Sequence, residues 1–330
     1  MRTPDVPGGA RTVRKEWAAE WDLTNEEWKA PRFVTIEEYR PDGKLLVSEM
    51  RNPDGSVCRS VNSYDDAGLL TATGFQNGAT SSTSVHFYDD RGRLIRQVDH
   101  APDGSERVGA EYVYAADGSY TRVMYLPHME GDVMYCSFIE DIDYSFSAPG
   151  TTTMTTAFDR QGRASELLVK DAEGSVLRRL VVTRDEAGRL VKDELFLGAQ
   201  PMFPDIRMFA AGASWVTTEY TYDERGRRVE MVRRMFGLSE ERETTQYDDR
   251  GNWTKTTTHT EHREAQVNEG DVELGAATVN RQQSRCTHTF DARGNWTERV
   301  TSQRYGENPD FTPVSIERRE IVYYEETGES

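Results

Sequence analysis

The chain has 330 residues, of which 36% are hydrophobic, 29% charged and 10% aromatic. So small an apolar share excludes one thick hydrophobic core, while so large an aromatic share excludes general disorder. With 57 acidic against 40 basic side chains and a formal net charge of −17, the chain repels phosphate backbones and anionic headgroups, so neither nucleic acid nor membrane insertion is expected.

Residues 1–31 read apart from the rest. In "RKEWAAEWDLTNEEWKAP" Trp17 and Trp21 stand at i and i+4, which predicts a short helical segment. Thr24 and Glu27 fit a capping box for a second turn that carries Trp28 and stops at Pro31. Such a segment serves either to dock a partner or to cover an exposed edge strand. The stretch "MRTPDVPGGARTVRKEW" has no hydrophobic signal centre, and no window reaches the ~18 apolar residues of a membrane helix. The expectation is a cytoplasmic chain or one exported by a non-classical route.

From residue 32 to 330 one turn recurs. "YDDRGRLI" from Tyr88 returns as "YDDAGLL" from Tyr64, "YDERGRRV" from Tyr222 and "YDDRGNW" from Tyr247. Each of these copies places Asp first and Gly fourth, as "NPDG" places Asn at 52, the pattern of a type I turn closed by a left-handed glycine, which is a three-residue β-hairpin with a bulge. Turn glycines by this rule are Gly43, Gly55, Gly68, Gly92, Gly104, Gly118, Gly162, Gly174, Gly188, Gly226, Gly251 and Gly294. Many neighbours in that series lie 12 to 14 residues apart, leaving strands of about eight residues. Between Gly68 and Gly92, Asn77-Gly78 supplies the missing hairpin signal.

The predicted fold is therefore all-β: an antiparallel meander of these hairpins. In "SVLRRLVVTRD" and "NWTKTTTHT" apolar and polar residues occur on both faces, which argues against a two-sheet sandwich. A curved or partly closed sheet, with the short helical segment at its N-terminal end, accommodates that pattern. Three stretches interrupt the repeat, at 126–153, 198–215 and 262–285, and inserted segments on a rigid scaffold are where binding tends to concentrate.

The runs "EYTYDERGRRV" and "VHFYDDRGRLI" resemble the tyrosine-aspartate, or YD, repeat of Rhs-type proteins, which are related to teneurins and to shell components of insecticidal toxin complexes. Similar copies cover roughly residues 39–118, 158–190 and 218–300. The resemblance implies a long β-meander that in larger relatives wraps a toxin or other cargo, and a role in bacterial competition. This chain is much shorter than a full shell, and it lacks the "DPxGL" run that marks self-cleavage in that family.

Local chemistry is sparse in the sequence. His259 and His262 stand three apart, so in a strand they face opposite ways, and no metal or cofactor is implied. Cys58, Cys136 and Cys286 form neither a disulfide framework nor a zinc pair. No GxSxG elbow, phosphate loop or HExxH motif occurs. Binding candidates are Tyr125, His128, Tyr135, Asp141 and Asp143 in or beside the first insert, together with Trp253 and Trp296. Each tryptophan follows a turn glycine by two residues, the slot that Leu45, Val57, Leu94 and Leu190 fill elsewhere, which favours packing over ligand stacking. The functional expectation is a non-catalytic binding or scaffold protein that holds a protein or glycan partner. A hydrolase with carboxylates drawn from the inserts, and a partial cage or immunity-type partner of a toxin, are the alternatives. Self-association is left open by the sheet edges.

Overall fold

In the computed structural model, the described residues are 9–18, 21–22, 27–28, 33–126, 134–136, 145–147, 150–198, 214–236, 238–268 and 271–324. Among them the regular structure is entirely β. The strands are β1 (Ala10–Ala18), β2 (Trp21–Asp22), β3 (Glu27–Trp28), β4 (Phe33–Tyr39), β5 (Leu45–Arg51), β6 (Val57–Tyr64), β7 (Leu70–Asn77), β8 (Thr80–Tyr88), β9 (Leu94–His100), β10 (Glu106–Tyr114), β11 (Tyr120–Tyr125) and β12 (Met134–Cys136). They continue as β13 (Ser145–Ser147), β14 (Thr153–Phe158), β15 (Ala164–Lys170), β16 (Val176–Arg184), β17 (Leu190–Leu197), β18 (Ser214–Tyr222), β19 (Arg228–Met235), β20 (Ser239–Tyr247), β21 (Trp253–Asn268), β22 (Asp271–Phe290), β23 (Trp296–Tyr305) and β24 (Thr312–Tyr323).

Twenty of these strands belong to one sheet, in which sequence neighbours pair antiparallel from β4 to β11 and from β14 to β24, and β11 pairs with β14. β1 pairs with β24 on one side and with β4 on the other. The pairing order thus closes on itself as an antiparallel β-barrel. This corrects the curved or partly closed sheet expected from sequence. The strand that removes the two free edges comes from the segment expected to be helical.

The expected N-terminal helix is absent, and the reason lies in periodicity. Residues 12–17 pair one for one with β4, so Val13, Lys15 and Trp17 share one face, and Trp17 stacks on Phe33 with ring centroids 5.7 Å apart. Each flank of β1 finds a strand partner, and a helix there would leave β4 and β24 with unpaired backbone groups. Trp21 and Trp28 are cross-strand partners in the β2–β3 pair. Aromatic spacing of four mimicked a helical face. Thr24 and Pro31 lie outside the described residues.

The turns share one geometry. All twelve turn glycines have φ between 72° and 89°, the left-handed region that glycine enters without a Cβ penalty. At Gly226, the glycine amide donates to the Asp223 carbonyl at 2.9 Å and the Asp223 amide to the Arg227 carbonyl at 3.0 Å. Asp223 Oδ1 accepts the amides of Arg225 and Arg227 at 3.0 and 2.8 Å, while Oδ2 accepts Nε and Nη2 of Arg227, both at 2.7 Å. Asp89 with Arg93, Asp159 with Arg163 and Asp185 with Arg189 repeat this fork.

A bulge follows the turns at Gly43, Gly68, Gly92, Gly162, Gly174, Gly188, Gly226 and Gly251, as where Thr221 pairs with Glu230 but Tyr222 with Arg228. It displaces the second residue after glycine from the ladder with the next strand: β19 pairs with β20 only from Glu230↔Thr244 onward, leaving the Arg228 carbonyl outside. The tyrosine that ends that next strand supplies the missing donor. Tyr247 donates to the Arg228 carbonyl at 2.8 Å, Tyr222 to Leu190 at 2.7 Å, Tyr88 to Leu70 at 2.7 Å and Tyr64 to Leu45 at 2.8 Å. At two of these turns the arginine after the glycine covers that ring: Arg227 lies 4.9 Å from the Tyr247 centroid and Arg189 lies 5.0 Å from that of Tyr222, while at Gly43 it is Lys44 that lies 5.8 Å from Tyr64.

The chain divides into two compact units. Unit 1 comprises Met1–Arg2, Ala110–Gln283 and Tyr305–Asn308, and unit 2 comprises Thr3–Gly109, Ser284–Arg304 and Pro309–Ser330. The main apolar core lies in unit 1. Register there aligns Thr156, Leu167, Leu180, Leu195 and Val216 across five strands, and Leu167, Leu180 and Leu195 are at most 2% exposed. Each such leucine contributes about 1.5–3 kcal/mol by leaving water. The buried Asp193 in this layer accepts the Tyr220 hydroxyl at 2.7 Å.

Two outcomes follow for stability. Gly226→Ala places no atom within 4 Å of the new Cβ but forces alanine to φ +77°, so it should cost about 1–2 kcal/mol in urea unfolding, and Gly226→Asn should cost less. The amides and the guanidinium that bind Asp89, Asp185 and Asp223 hold their carboxyls below the usual carboxylate range. A depressed folded pKa gives stability that is present above the unfolded value of about 3.9 and lost as pH falls through the folded value. The unfolding midpoint should therefore drop below about pH 4, and by a smaller amount in Asp223→Asn.

Candidate binding face

In unit 2 the same strand pattern presents different side chains. On β6 the less exposed positions are Cys58, Ser60, Asn62 and Tyr64, whereas Arg59, Val61 and Ser63 are exposed. Register extends this half-buried face across neighbouring strands. One row runs Glu37, Ser48, Ser60, and another runs Asn62, Thr73, Ser84, Asp99. Where unit 1 aligns leucines, unit 2 aligns hydroxyls, amides and carboxylates.

Hydrogen bonds tie the second row together. Thr73 Oγ1 donates to Asn62 Oδ1 at 3.0 Å, and Asn62 Nδ2 donates to the Leu45 carbonyl at 3.0 Å. Asp99 accepts Ser84 Oγ at 2.7 Å, Gln97 Nε2 at 3.0 Å and Arg107 Nη2 at 2.9 Å. A Cβ at Gly109 would stand 2.6 Å from Asp99 Oδ2, so the glycine admits the carboxylate. Beside it, neither ring nitrogen of His86 has a hydrogen-bond partner among the described residues. Burial pushes the His86 pKa below its ordinary value, against the opposing pull of Asp99. Ser84 bonds directly to Asp99, so these three residues do not form a nucleophilic relay, which would need the imidazole between them.

Where β1 joins β4 and β24, the face becomes ionic. Lys15 Nζ lies 2.7 Å from Glu37 Oε2, which also accepts the Tyr39 hydroxyl at 2.6 Å. Burial first, then the hydrogen bond to Glu37, raises the Tyr39 pKa far above its ordinary value, so the hydroxyl remains a donor. Arg299 binds Glu317 at 2.5 Å. Arg319 stacks 3.3 Å from the Trp296 centroid, and Arg299 lies 4.9 Å from it.

That stacking locates one candidate from sequence. Trp296 is 6% exposed beneath two guanidinium groups. Trp253 is half-buried and pairs with Tyr247 across the bulge. Tyr125 ends β11 exposed, with its hydroxyl donating to Glu111 Oε2 at 2.8 Å. Tyr135 pairs with Phe146 in the β12–β13 pair. His128, Asp141 and Asp143 lie outside the described residues. The third insert is a hairpin, since 262–285 falls within β21 and β22 apart from residues 269–270, which are not described.

Sequence reading missed Lys15, Glu37, Asn62, Ser84, Asp99 and Arg319. The signal was present as polar residues at every second position, such as Ser60 and Asn62. It could be weighed only once β1 was known to be a strand.

No protein-family model matches the chain, and no curated protein matches it. Among solved structures, a porin-like protein from Bacteroides uniformis aligns over 96% of this chain and 98% of its own, at 12% identity and a TM-score of 0.39. A TcdB2-TccC3 structure without the hypervariable C-terminal region aligns over 89% of this chain and 18% of its own, at 14% identity and a TM-score of 0.22. Another TcdB2-TccC3 structure aligns over 91% of this chain and 19% of its own, at 15% identity and a TM-score of 0.19. This chain thus spans about a fifth of the length of those toxin-complex chains. Among the described residues no helix is long and apolar enough to cross a membrane, which says nothing of a β-barrel.

One further outcome concerns the thiol at the end of this face. Cys286 is 5% exposed, and burial pushes its pKa up to about 11. Little reactive thiolate exists at pH 8, so iodoacetamide should label Cys286 only after unfolding in guanidinium, as read by peptide mass spectrometry.

Proposed function

We propose that the chain is a non-catalytic YD-repeat scaffold that holds a polar protein or glycan partner through the half-buried face of unit 2. The observation that carries this reading is the row Asn62, Thr73, Ser84 and Asp99, set in the same framework that elsewhere aligns leucines. Half-buried hydroxyl and amide groups keep hydrogen-bonding capacity that a polar partner can use. The repeated Asp and Tyr side chains bond within and between turns, which supports a structural role for the repeat itself.

The exposed face bears on where such a scaffold works. Arg179–Glu166 at 2.6 Å, Arg234–Glu219 at 2.7 Å and Arg242–Glu230 at 2.6 Å stand along β15, β16, β18, β19 and β20. A lipid-facing barrel needs an apolar band about 25 Å tall, and ion pairs within the strands interrupt such a band. We therefore read this face as one that meets water.

Immobilised protein exposed to native extract and to a glycan array should retain a defined set of ligands, and the Ser60→Leu, Thr73→Leu variant should lose them while keeping its thermal unfolding midpoint. Equal retention by both proteins would overturn the proposal. So would turnover of a glycan or peptide that disappears in Asp141→Ala, the outcome expected of a hydrolase built from the inserts.

A further inference from the structure

Beside the polar row of unit 2, His86 on β8 holds a titratable ring whose two nitrogens are both buried and both unbonded among the described residues. Buried nitrogens without a partner are rare in folded chains. The neutral ring carries a single donor, and a proton would add a second donor together with a charge.

Register sets the neighbours of this ring. His86 stands across from Gln97 and Ser84 across from Asp99, so His86 and Asp99 are diagonal neighbours on one face. Thr73 of β7 continues that face beyond Ser84. Its titratable or charged side chains are Tyr88 of β8, Asp99 of β9 and Arg107 of β10, and β7 carries none. The Tyr88 hydroxyl is bonded to the Leu70 carbonyl. Arg96 and His100 stand across from Phe87 and Thr83 on the opposite face, where His100 meets Glu106 at 3.2 Å. Asp99 is therefore the charged group that acts on the ring, pulling against burial.

That carboxylate has no room for a further donor. Oδ1 accepts Ser84 Oγ at 2.7 Å and Gln97 Nε2 at 3.0 Å. Oδ2 accepts Arg107 Nη2 at 2.9 Å and lies against Gly109, where a Cβ would stand 2.6 Å from it. An imidazolium has two donors and no acceptor, so it reaches Asp99 only by taking Oδ1 from Ser84 or Gln97.

We propose that His86 is an acid-operated latch on the half-buried face of unit 2: a proton taken up by its ring draws Asp99 away from Ser84 and Gln97 and unties the row of Asn62, Thr73, Ser84 and Asp99. That untying this row frees a bound partner rests on the proposed use of the face. Burial lowers the His86 pKa from an ordinary value of about 6.5, so the latch is set at neutral pH and opens on the acid side. The neutral ring contributes stability that is present above about pH 6.5 and lost as pH falls through the folded value. This window lies above the one in which the turn aspartates titrate.

Residue-assigned NMR of the full chain tests the latch without any ligand. Between about pH 7.5 and about pH 5 the His86 ring should take up a proton, and the Ser84, Gln97 and Asp99 resonances should shift with the same midpoint. Over that range the thermal unfolding midpoint should fall further in the wild type than in His86→Phe or His86→Gln. Ligands held by the wild type at the higher pH should be held at least about tenfold less at the lower, the factor that one unit of pKa difference confers, whereas His86→Phe should hold them equally at both. A ring that titrates without moving Ser84 and Asp99 would overturn the proposal, as would an unfolding profile that is the same in all three proteins. A chain that retains no ligand at either pH would count against the partner reading alone, since the resonances decide the latch.

Discussion

One hydrogen bond organises the molecule: a tyrosine hydroxyl donating to the backbone carbonyl that a bulge has displaced from its ladder. The bulge follows the turns that close on left-handed Gly226, Gly188, Gly68 and Gly43, and the extra residue it admits leaves the Arg228, Leu190, Leu70 and Leu45 carbonyls outside the next strand's pairing. A buried carbonyl without a donor is costly, and Tyr247, Tyr222, Tyr88 and Tyr64 remove that cost from one hairpin further on. At Gly188 and Gly226 aspartate shapes the turn, arginine locks the aspartate and covers the next tyrosine, and tyrosine returns to the previous turn. The motif is thus a zipper between hairpins, and its parts depend on one another. At Asp248 and Asp291 asparagine takes the arginine's place, with the Asn252 and Asn295 amides bonding the carboxylate.

Because the zipper uses strand ends, strand centres are free to differ. Unit 1 fills them with leucine, valine and methionine and gains a core, within which Asp193 and Tyr220 satisfy each other. Unit 2 fills them with serine, asparagine, threonine and charged pairs and gains a face able to bond polar groups. Burial is weaker there: its apolar cluster centres on Ala10, Val13 and Tyr39. Apolar burial in one unit and polar rows in the other is a division that the shared turn geometry permits.

Much of this was legible in the residues. The glycine at every turn, the aspartate that caps it and the antiparallel order follow from local chemistry that depends on few distant contacts. Equivalence of Trp296 with Leu45 and Leu190 was readable as well, because the bulge returns that slot to the tyrosine side of the sheet. Closure was not. It depends on β1 meeting both β4 and β24, and Trp17 and Trp21 carry a spacing compatible with either period. The polar rows of unit 2 were equally hidden, since Asn62, Thr73, Ser84 and Asp99 become neighbours only through the register of four strands. The third insert looked like a loop because it lacks the turn repeat, yet its described residues continue β21 and β22.

Denaturant unfolding of a chain in which Tyr64, Tyr88, Tyr222 and Tyr247 are all phenylalanine tests the zipper most directly. Rings, packing and cation contacts remain, and only four hydroxyls are removed. The account expects a loss of about 1 kcal/mol for each, summing nearly additively because the sites are separate. A quadruple variant as stable as the parent would show that the displaced carbonyls need no tyrosine and that the repeat is held together by something else.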